Sequence, residues 1–317
     1  MVKVIMFHST PDRLAELRAK FPSVNFVAPE NRADGAKDIA SADVIFGGCT
    51  NEEFEAAEKL RWIQAASAGV EFMWKIPAIA DSNVVVTNAR GAHAATIAEH
   101  HFALLLGLTR QVIAHHDHQK KHEWVRAGMA GGLVGIKDLT LGLIGFGNIG
   151  RAIARRATGF EMKVIAVDAQ PVPASEGVAE VWPLSRLNDM CKVVDVLTIS
   201  APITPQTRGM VGPEQIALLK KGSYVIAVSR GGIVNEPALI QGLKSGQIAG
   251  AGLDVQETEP LPADSPLWDA PNILITPHDS GASNLTTNLM WSIFIENLGH
   301  FVRKEPLTNM VDKKLGY

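Results

Sequence analysis

Three side chains in the C-terminal half of the chain have types that suit proton transfer and carboxylate binding. Arg230 follows the apolar run "SYVIAVS", Glu259 comes shortly after "IAGAGLD", and His278 follows "NILITP". An arginine can hold a carboxylate through paired hydrogen bonds and polarise a neighbouring carbonyl. A histidine titrates near neutral pH, so it can donate a proton in one direction of a reaction and accept one in the other. A glutamate on the second ring nitrogen would orient the imidazole and stabilise its charged form.

Together these residue types suit the interconversion of a 2-keto acid and a 2-hydroxy acid. Reduction of the keto acid needs a group that binds the carboxylate, a proton donor for the carbonyl oxygen and an acid that keeps the donor charged. A single histidine after a strand is more often an ordinary loop residue, and the arginine and glutamate could form unrelated surface ion pairs. The catalytic interpretation therefore requires that Arg230, Glu259 and His278 each follow a strand of the same sheet. Ligands bind at the carboxyl ends of strands in open α/β sheets.

Two successive series of short apolar strands, separated by helical patterns, organise the chain. The first has the candidates "VKVIMF", "VNFVAP", "ADVIFGG", "RWIQAAS" and "NVVVTNA". The second begins at Thr140 and has six, namely "TLGLIG", "KVIAVD", "DVLTISA", "SYVIAVS", "IAGAGLD" and "NILIT". Strands that alternate with helices are typical of βαβ units and a parallel sheet. Six is the number expected of a doubly wound dinucleotide-binding domain.

A glycine fingerprint opens the second series. In "GFGNIG", Gly145, Gly147 and Gly150 follow a strand and begin a helix, and the next strand ends in Asp168, 18 positions past Gly150. The glycines permit a tight turn, close approach of a pyrophosphate and close packing of helix on strand. The free N–H groups of the helix N-terminus favour the phosphates. Asp168 would accept hydrogen bonds from the ribose and repel a 2′-phosphate, so the pattern predicts NAD rather than NADP.

Helical patterns at both crossings between the series predict that one domain is inserted into the other. "ATIAEHHFALLLGLTRQVIAHH" lies between the series, and Leu285, Leu289 and Ile293 are spaced by four after the second. We predict an α/β fold of two Rossmann-like or flavodoxin-like domains with doubly wound parallel sheets. Residues 1–98 plus 284–317 are the predicted substrate domain, and residues 99–283 the predicted NAD-binding Rossmann domain inserted into it.

Composition narrows the class of protein. The 317 residues are 46% hydrophobic and 20% charged, as in ordinary globular proteins, and the net charge of −3 provides no basic surplus for nucleic acid. Cys49 and Cys191 are too few for a disulfide framework or a cysteine zinc site. The apolar stretch "FALLLGL" is far shorter than a membrane span. We therefore expect a cytoplasmic protein that binds neither nucleic acid nor a membrane.

From about Ser67 to Ser283 the sequence resembles the D-isomer-specific 2-hydroxyacid dehydrogenase family. The resemblance rests on "GFGNIG" with Asp168, on "SRGGIVNEPAL", "GAGLDVQETEP" and "TPHDSGAS", and on the interdomain "GAHAATIAEHHFALLLGLTR". It implies an NAD-dependent enzyme that interconverts a D-2-hydroxy acid and the 2-keto acid, with Arg230, Glu259 and His278 as catalytic residues. It also implies a homodimer formed largely through the cofactor domain.

The resemblance assigns the remaining site residues. "AASAGVE" matches the loop whose backbone amides hold the substrate carboxylate, which points to Ala68 and Gly69, while Arg230 and His278 would also contact the substrate. The expected cofactor-binding residues are Gly145, Phe146, Gly147, Asn148, Ile149, Gly150, Asp168, Ala201, Pro202, Thr207, Val228, Ser229, Arg230, Asp254, His278, Ser280 and Gly281.

Two alternative functions stay open. The first is an NAD-sensing regulatory protein on the same fold, as the corepressors of this family are; the trio favours an enzyme, although corepressors can keep it. The second is a relative that oxidises formate or phosphite. "TPH" counts against formate, but phosphite is harder to separate. Asp279 departs from the family pattern, which has an apolar or small residue there, and it could act on His278 or face water.

The histidine-rich stretch "AHHDHQKKH" predicts no metal site. His118 and His122 have the spacing of two ligands on one helix face. No HExxH pattern or flanking carboxylate ligand accompanies them, so a solvated helix face explains the histidines better.

Overall fold

The computed structural model describes residues 1–126, 132–175, 177–178 and 180–313, with the side chain of Glu71 left aside. The chain divides into two compact units. The first comprises Met1–His93 and Ser283–Tyr317, and the second comprises Ala94–Ala282. The second unit is therefore inserted along the chain between the two segments of the first.

The helices and strands follow in chain order. Those of the first segment are β1 Val2–Met6, α1 Pro11–Lys20, β2 Val24–Val27, α2 Arg32–Ile39, β3 Val44–Phe46, α3 Asn51–Ala56, β4 Trp62–Gln64, α4 Ala78–Asp81 and β5 Val85–Thr87. The inserted unit has α5 Ala94–Thr109, α6 Val112–Lys120, β6 Thr140–Ile144, α7 Asn148–Gly159, β7 Lys163–Asp168, β8 Val181–Pro183, α8 Leu187–Cys191, β9 Val196–Ile199, α9 Pro213–Leu218, β10 Ser223–Ala227, α10 Glu236–Ser245, β11 Ile248–Leu253 and β12 Ile273–Ile275. The last helix is α11 Asn284–Arg303, and 3₁₀ turns lie at Glu71–Lys75 and Leu184–Arg186.

The first unit is built on a parallel sheet with strand order β2-β1-β3-β4-β5. Its central strands are apolar on both faces, as expected where helices cover both sides of a parallel sheet. One face packs Ile5, Ile45 and Ile63 with α2, while Trp62 lies in the cluster on the other face. The five predicted strands are confirmed.

The C-terminal helix α11 confirms the helical pattern expected after the second series, and it packs through its aromatic residues. Trp291, Phe294 and Leu298 are buried against β1, β3 and β4, and the Phe294 ring lies 4.5 Å from that of Phe46. Leu285 and Leu289 are instead 44% and 37% exposed. The spacing predicted the helix, and the aromatic residues form its buried side because they bury more apolar surface than the leucines.

The inserted unit is built on a parallel sheet with strand order β12-β11-β10-β9-β6-β7-β8. The six strands predicted in this series are confirmed, and the structure adds a seventh, β8, on the edge. Only Val181, Trp182 and Pro183 form it, paired with the end of β7. None of its residues is buried and a proline ends it, so no buried apolar run marks this strand in the sequence.

The predicted interdomain helix is two helices. Gln111, between α5 and α6, has a φ of +53°, in the left-handed region, and this breaks the helix. Helix α5 is buried through Ile97, His101 and Leu105, whereas α6 has no buried residue. Burial lowers the pKa of His101 to about 3, so the ring is neutral where it bonds the hydroxyl of Thr198 at 2.8 Å.

The length and apolar character that a bilayer-crossing helix requires do not occur together in any helix of the described residues.

Candidate active site

The predicted cofactor and catalytic residues of the inserted unit gather along one edge of its sheet. Each follows the carboxyl end of a strand: β6 leads to the glycine loop, β7 ends in Asp168, and β9 to β12 lead to the others. All these strands are parallel, so their carboxyl ends share one edge. This is the edge at which ligands bind in open α/β sheets.

The glycine loop has the geometry that a pyrophosphate needs. Gly145 has a φ of +91°, and a Cβ there would stand 2.7 Å from the backbone of Ala201. A Cβ on Gly147 would meet nothing within 4 Å, so this residue borders open space, whereas one on Gly150 would stand 2.4 Å from the Gly145 carbonyl oxygen. The first hydrogen bond of α7 runs from the Arg151 N–H to the Gly147 carbonyl at 2.9 Å.

The start of α7 therefore offers N–H groups to an anion. The N–H groups of Asn148, Ile149 and Gly150 precede the first bond within the helix, and no side chain caps them. The helix dipole adds a partial positive charge at this end. These features fit the pyrophosphate of a dinucleotide.

Asp168 binds the glycine loop from the end of β7. Its Oδ2 accepts a hydrogen bond from the Phe146 N–H at 2.7 Å, and its Oδ1 accepts one from the Gln170 N–H at 2.9 Å. The carboxylate thus fixes the glycine loop to the end of β7. Each oxygen keeps further lone pairs for other donors.

The loops after β9 and β10 carry the predicted Ala201, Pro202, Thr207, Val228 and Ser229. The hydroxyl of Ser229 donates to the Ala201 carbonyl at 2.8 Å, and the hydroxyl of Thr207 donates to the Pro202 carbonyl at 2.8 Å. Val228 is buried. The bond from Ser229 joins the ends of β10 and β9, and the bond from Thr207 closes the loop after β9.

His278 and Glu259 form the predicted pair. The imidazole Nδ1 and the Glu259 Oε2 are 2.7 Å apart, and the side chains are 40% and 34% exposed. The other glutamate oxygen accepts the Gln256 N–H at 3.0 Å, which fixes the carboxylate. With Nδ1 engaged by the glutamate, Nε2 is the ring atom that can exchange a proton with a ligand.

The buried carboxylate of Asp254 accepts hydrogen bonds from residues on both sides of His278. Its Oδ1 accepts from the hydroxyl of Thr276 at 2.6 Å and from the Asp279 N–H at 3.1 Å, while Oδ2 accepts from the Ser280 N–H at 3.0 Å. The side chain is fully buried. His278 lies between these anchored residues with a φ of +55°, a conformation that costs free energy in a residue other than glycine. Asp254 thus holds the loop that presents the imidazole.

His100 on α5 extends this hydrogen-bond chain and was not predicted from the sequence. Its Nε2 lies 2.8 Å from the hydroxyl of Thr276. That hydroxyl has a single proton, which it donates to Asp254, so it accepts its second bond from the histidine. The only signal was the histidine pair in the interdomain helix, and nothing in its spacing pointed to Thr276.

Arg230 lies beside the loop of Glu259 because the backbone of Gly231 comes very close to that of Gln256. A Cβ on Gly231 would stand 1.8 Å from the Gln256 carbonyl oxygen, so only glycine allows the two loops to meet. Arg230 is partly exposed and donates from Nη1 to the Ser229 carbonyl at 2.6 Å. The structure thus brings together the loops of all three predicted catalytic residues.

Ala68 and Gly69 lie in the first unit, in the loop after β4. Both residues are partly exposed. The Ser67 hydroxyl donates to the Gly69 carbonyl at 2.6 Å, which closes the loop on itself. Nearby, after β3, burial raises the pKa of Cys49 to about 12, so this thiol stays neutral. Cys49 therefore provides no nucleophile at the end of β3.

Among the described residues of the inserted unit, one group of three potential metal ligands occurs. Ligand atoms of His100, Asp254 and Asp279 lie within 4.8 Å of one another. The Asp254 oxygens already accept the hydrogen bonds described above, so we assign no metal to them. His118 bonds Glu123 at 2.8 Å, and α6 ends at Lys120, before His122.

Comparison with known proteins identifies relatives over most of the chain. Residues 102–280 match the family model described as the NAD binding domain of D-isomer specific 2-hydroxyacid dehydrogenases. The chain is 35% identical over 269 residues to a glyoxylate reductase from Korarchaeum cryptofilum, which covers 83% of this chain and 80% of the relative. It is 32% identical over 319 residues to a D-3-phosphoglycerate dehydrogenase from Methanocaldococcus jannaschii, covering 98% of this chain but 60% of that longer relative.

Solved structures share the fold over the whole chain. A D-isomer specific 2-hydroxyacid dehydrogenase family protein from Aeromonas salmonicida has a TM-score of 0.85 at 30% identity and covers 98% of this chain, with 99% of its own chain matched. An NADPH-dependent glyoxylate/hydroxypyruvate reductase from Sinorhizobium meliloti, in complex with NADP and sulfate, has a TM-score of 0.85 at 27% identity and full coverage of both chains. By sequence and by fold, the chain belongs to the D-isomer specific 2-hydroxyacid dehydrogenase family.

Proposed function

We propose that this protein is an NAD-dependent D-2-hydroxyacid dehydrogenase that interconverts a D-2-hydroxy acid and the corresponding 2-keto acid. The observation that carries the proposal is the His278–Glu259 pair, 2.7 Å apart, on the strand edge where the glycine loop begins. A carboxylate that bonds one ring nitrogen leaves the other nitrogen in a defined protonation state, which acid–base catalysis requires. Relatives named glyoxylate reductase and hydroxypyruvate reductase support the same class of substrate.

The two compact units take different parts in this proposal. The inserted unit binds the dinucleotide through the N–H groups at the start of α7 and through Asp168. The first unit binds the substrate carboxylate through the backbone amides of Ala68 and Gly69. The nicotinamide, when bound, supplies or accepts the hydride at substrate C2.

The chain's own residues handle the carboxylate and the proton. Arg230 pairs with the substrate carboxylate and draws electron density from the adjacent carbonyl. In reduction, charged His278 gives its Nε2 proton to the carbonyl oxygen, and in oxidation neutral His278 removes that proton from the hydroxyl. Glu259 stabilises the charged ring through Nδ1 and fixes its orientation. Asp254 holds the loop so that the imidazole keeps its direction throughout.

The carboxylate of Asp168 supports NAD over NADP. A negative charge at the ribose position repels a 2′-phosphate, and Ala169 and Gln170, which follow it, are uncharged. Solved relatives include complexes with NAD and with NADP, so this residue rather than the fold carries the preference.

Asp168→Asn is expected to lower the ratio of kcat/KM with NADH to kcat/KM with NADPH about tenfold, because the charge repulsion is lost. The asparagine oxygen can still accept the Phe146 N–H that anchors the glycine loop, although the amide NH₂ cannot accept the Gln170 N–H. Asp168→Ala removes both effects and shows how much the anchor adds. Steady-state rates with both dinucleotides give the ratio. An unchanged ratio in both variants would count against the ribose contact.

The function itself is tested by NADH oxidation, followed at 340 nm, against 2-keto acids of increasing size. Glyoxylate, hydroxypyruvate, pyruvate and a bulkier keto acid form the panel, with NADPH in parallel. Turnover with at least one member is the expected result, and the size profile then describes the pocket. Tight NADH binding without turnover on any member would contradict the proposal and favour a sensor of the dinucleotide.

A further inference from the structure

The loop that carries Ala68 and Gly69 is attached to the end of β5 by two hydrogen bonds. The Ala89 N–H donates to the Ser67 carbonyl at 2.9 Å, and the side-chain Nδ2 of Asn88 donates to the Ala68 carbonyl at 2.8 Å. The first bond joins backbone to backbone, so it survives any change of side chain. The second depends on a single amide group.

These two bonds fix the direction of two N–H groups. A trans peptide is planar, and its C=O and N–H point in opposite directions. Because the carbonyls of Ser67 and Ala68 point to the end of β5, the N–H groups of Ala68 and Gly69 point away from it. Among the described residues, neither N–H has a hydrogen-bond acceptor. Two N–H groups that point the same way form a site for an anion.

Asn88 is held so that its amide can face only one way. It is 2% exposed, and its Oδ1 accepts the Arg90 N–H at 3.2 Å. Its backbone N–H donates to the Asn309 carbonyl at 3.2 Å, and its carbonyl accepts a bond from the Asn309 Nδ2 at 3.3 Å. Since the oxygen is engaged by an N–H donor, the amide NH₂ must face the Ala68 carbonyl. The orientation of this side chain is therefore defined by its partners.

The bond from Asn88 also strengthens the donor on the other side of the same peptide. Hydrogen bonds in series polarise one another, so a peptide whose carbonyl accepts a bond has a stronger N–H donor. The Gly69 N–H belongs to the peptide that Asn88 binds. Asn88 thus sets both the direction and the strength of this one N–H group.

We propose that Asn88 is a positioning residue for the substrate carboxylate, acting through the Gly69 N–H. This inference rests on the proposed function, because the carboxylate of a 2-keto acid is the anion in question. The carboxylate keeps its charge throughout the reaction, so the contact is equally strong in the ground state and the transition state. Loss of such a contact raises KM and leaves kcat nearly unchanged.

The test compares two variants at position 88 with a matched control. Asn88→Leu is close in size and removes the whole amide, whereas Asn88→Asp keeps the acceptor for the Arg90 N–H and removes the donor to Ala68. Asn309→Gly keeps the left-handed backbone of Asn309, at φ +53°, and removes its two side-chain bonds to the Asn88 and Arg90 carbonyls, while the Asn309 carbonyl still accepts the Asn88 N–H. KM for the keto acid, kcat and the Kd for NADH are measured on the full chain.

Both Asn88 variants are expected to raise KM about tenfold, with kcat changed less than threefold and the Kd for NADH unchanged. If KM rises equally in both variants, the lost donor explains the rise and the added charge of the aspartate does not. Asn309→Gly is expected to keep the wild-type KM. If Asn88→Leu does not fold, Asn88→Asp decides the result alone.

Two results overturn the inference while the proposed function stands: an unchanged KM in the Asn88 variants, or the same rise in KM in Asn309→Gly. A wild-type chain that turns over no keto acid is a separate outcome. It overturns the proposed function, and the role of Asn88 with it.

Discussion

Replacing His278 by alanine is expected to lower kcat by at least ~10²-fold while NADH binding survives, because the ring is the proposed proton donor to the carbonyl oxygen. The pair with Glu259, 2.7 Å apart, leaves Nε2 for the substrate. The glycine loop and Asp168 stand on other strand ends and keep their own contacts. Steady-state kinetics give kcat, and a fluorescence titration gives the Kd for NADH.

The backbone of His278 calls for a second variant. Its φ of +55° is unfavourable for alanine, whereas asparagine adopts this conformation more readily. His278→Asn should therefore keep the loop in place and lose the same factor in kcat. If only the alanine variant loses activity, the loop conformation rather than proton transfer explains the loss. His116→Ala, on the exposed helix α6, is the matched histidine control and should turn over normally.

Arg230→Ala is expected to lower kcat/KM about 10²- to 10³-fold, the second large effect. The loss combines a charge-assisted contact to the carboxylate with the polarisation of the carbonyl, so KM rises and kcat falls. Arg230→Lys keeps the charge but has no planar fork, and should recover only part of the activity. Steady-state rates over a wide range of keto acid concentrations separate the two terms.

The control for this prediction is Arg186→Ala, which removes an arginine stacked on Trp182 at the far edge of the same sheet. It should leave kcat/KM unchanged. Full recovery of activity by Arg230→Lys would contradict a bidentate contact. Wild-type activity in Arg230→Ala would remove the arginine from the mechanism altogether.

Much of this fold could be predicted because parallel strands give strong local signals. The runs that became β6 and β7, the glycine spacing and Asp168 all lie within one continuous stretch, so the sequence alone identifies them. The strand-end positions of Arg230, Glu259 and His278 follow from topology, since the carboxyl ends of parallel strands meet on one edge.

Other features depend on contacts that sequence spacing does not encode. The face of α11 is decided by how Trp291 and Phe294 fit the sheet, and the break at Gln111 has no glycine or proline to announce it. The bonds from Asn88 to Ala68 and from His100 to Thr276 join residues 20 and 176 positions apart. Such pairs become visible only when the backbone is folded.

Asp254 illustrates how one residue can have more roles than its pattern predicts. Its place after β11 marks it as a cofactor contact by family resemblance. The structure adds that the carboxylate binds Thr276 and the backbone of Asp279 and Ser280, which encloses the loop of His278 from both sides. The loop can therefore hold a histidine in a left-handed conformation, because these bonds offset its conformational cost.

The most direct measurement is the reduction of the fastest keto acid of the panel other than glyoxylate, whose product is achiral, with NADH deuterated at both positions of nicotinamide C4. The proposed reaction predicts a 2-hydroxy acid that carries the deuterium at C2, seen by NMR, and that is the D enantiomer by chiral chromatography. An L product, a product without the label at C2, or no product from any keto acid would contradict the central claim.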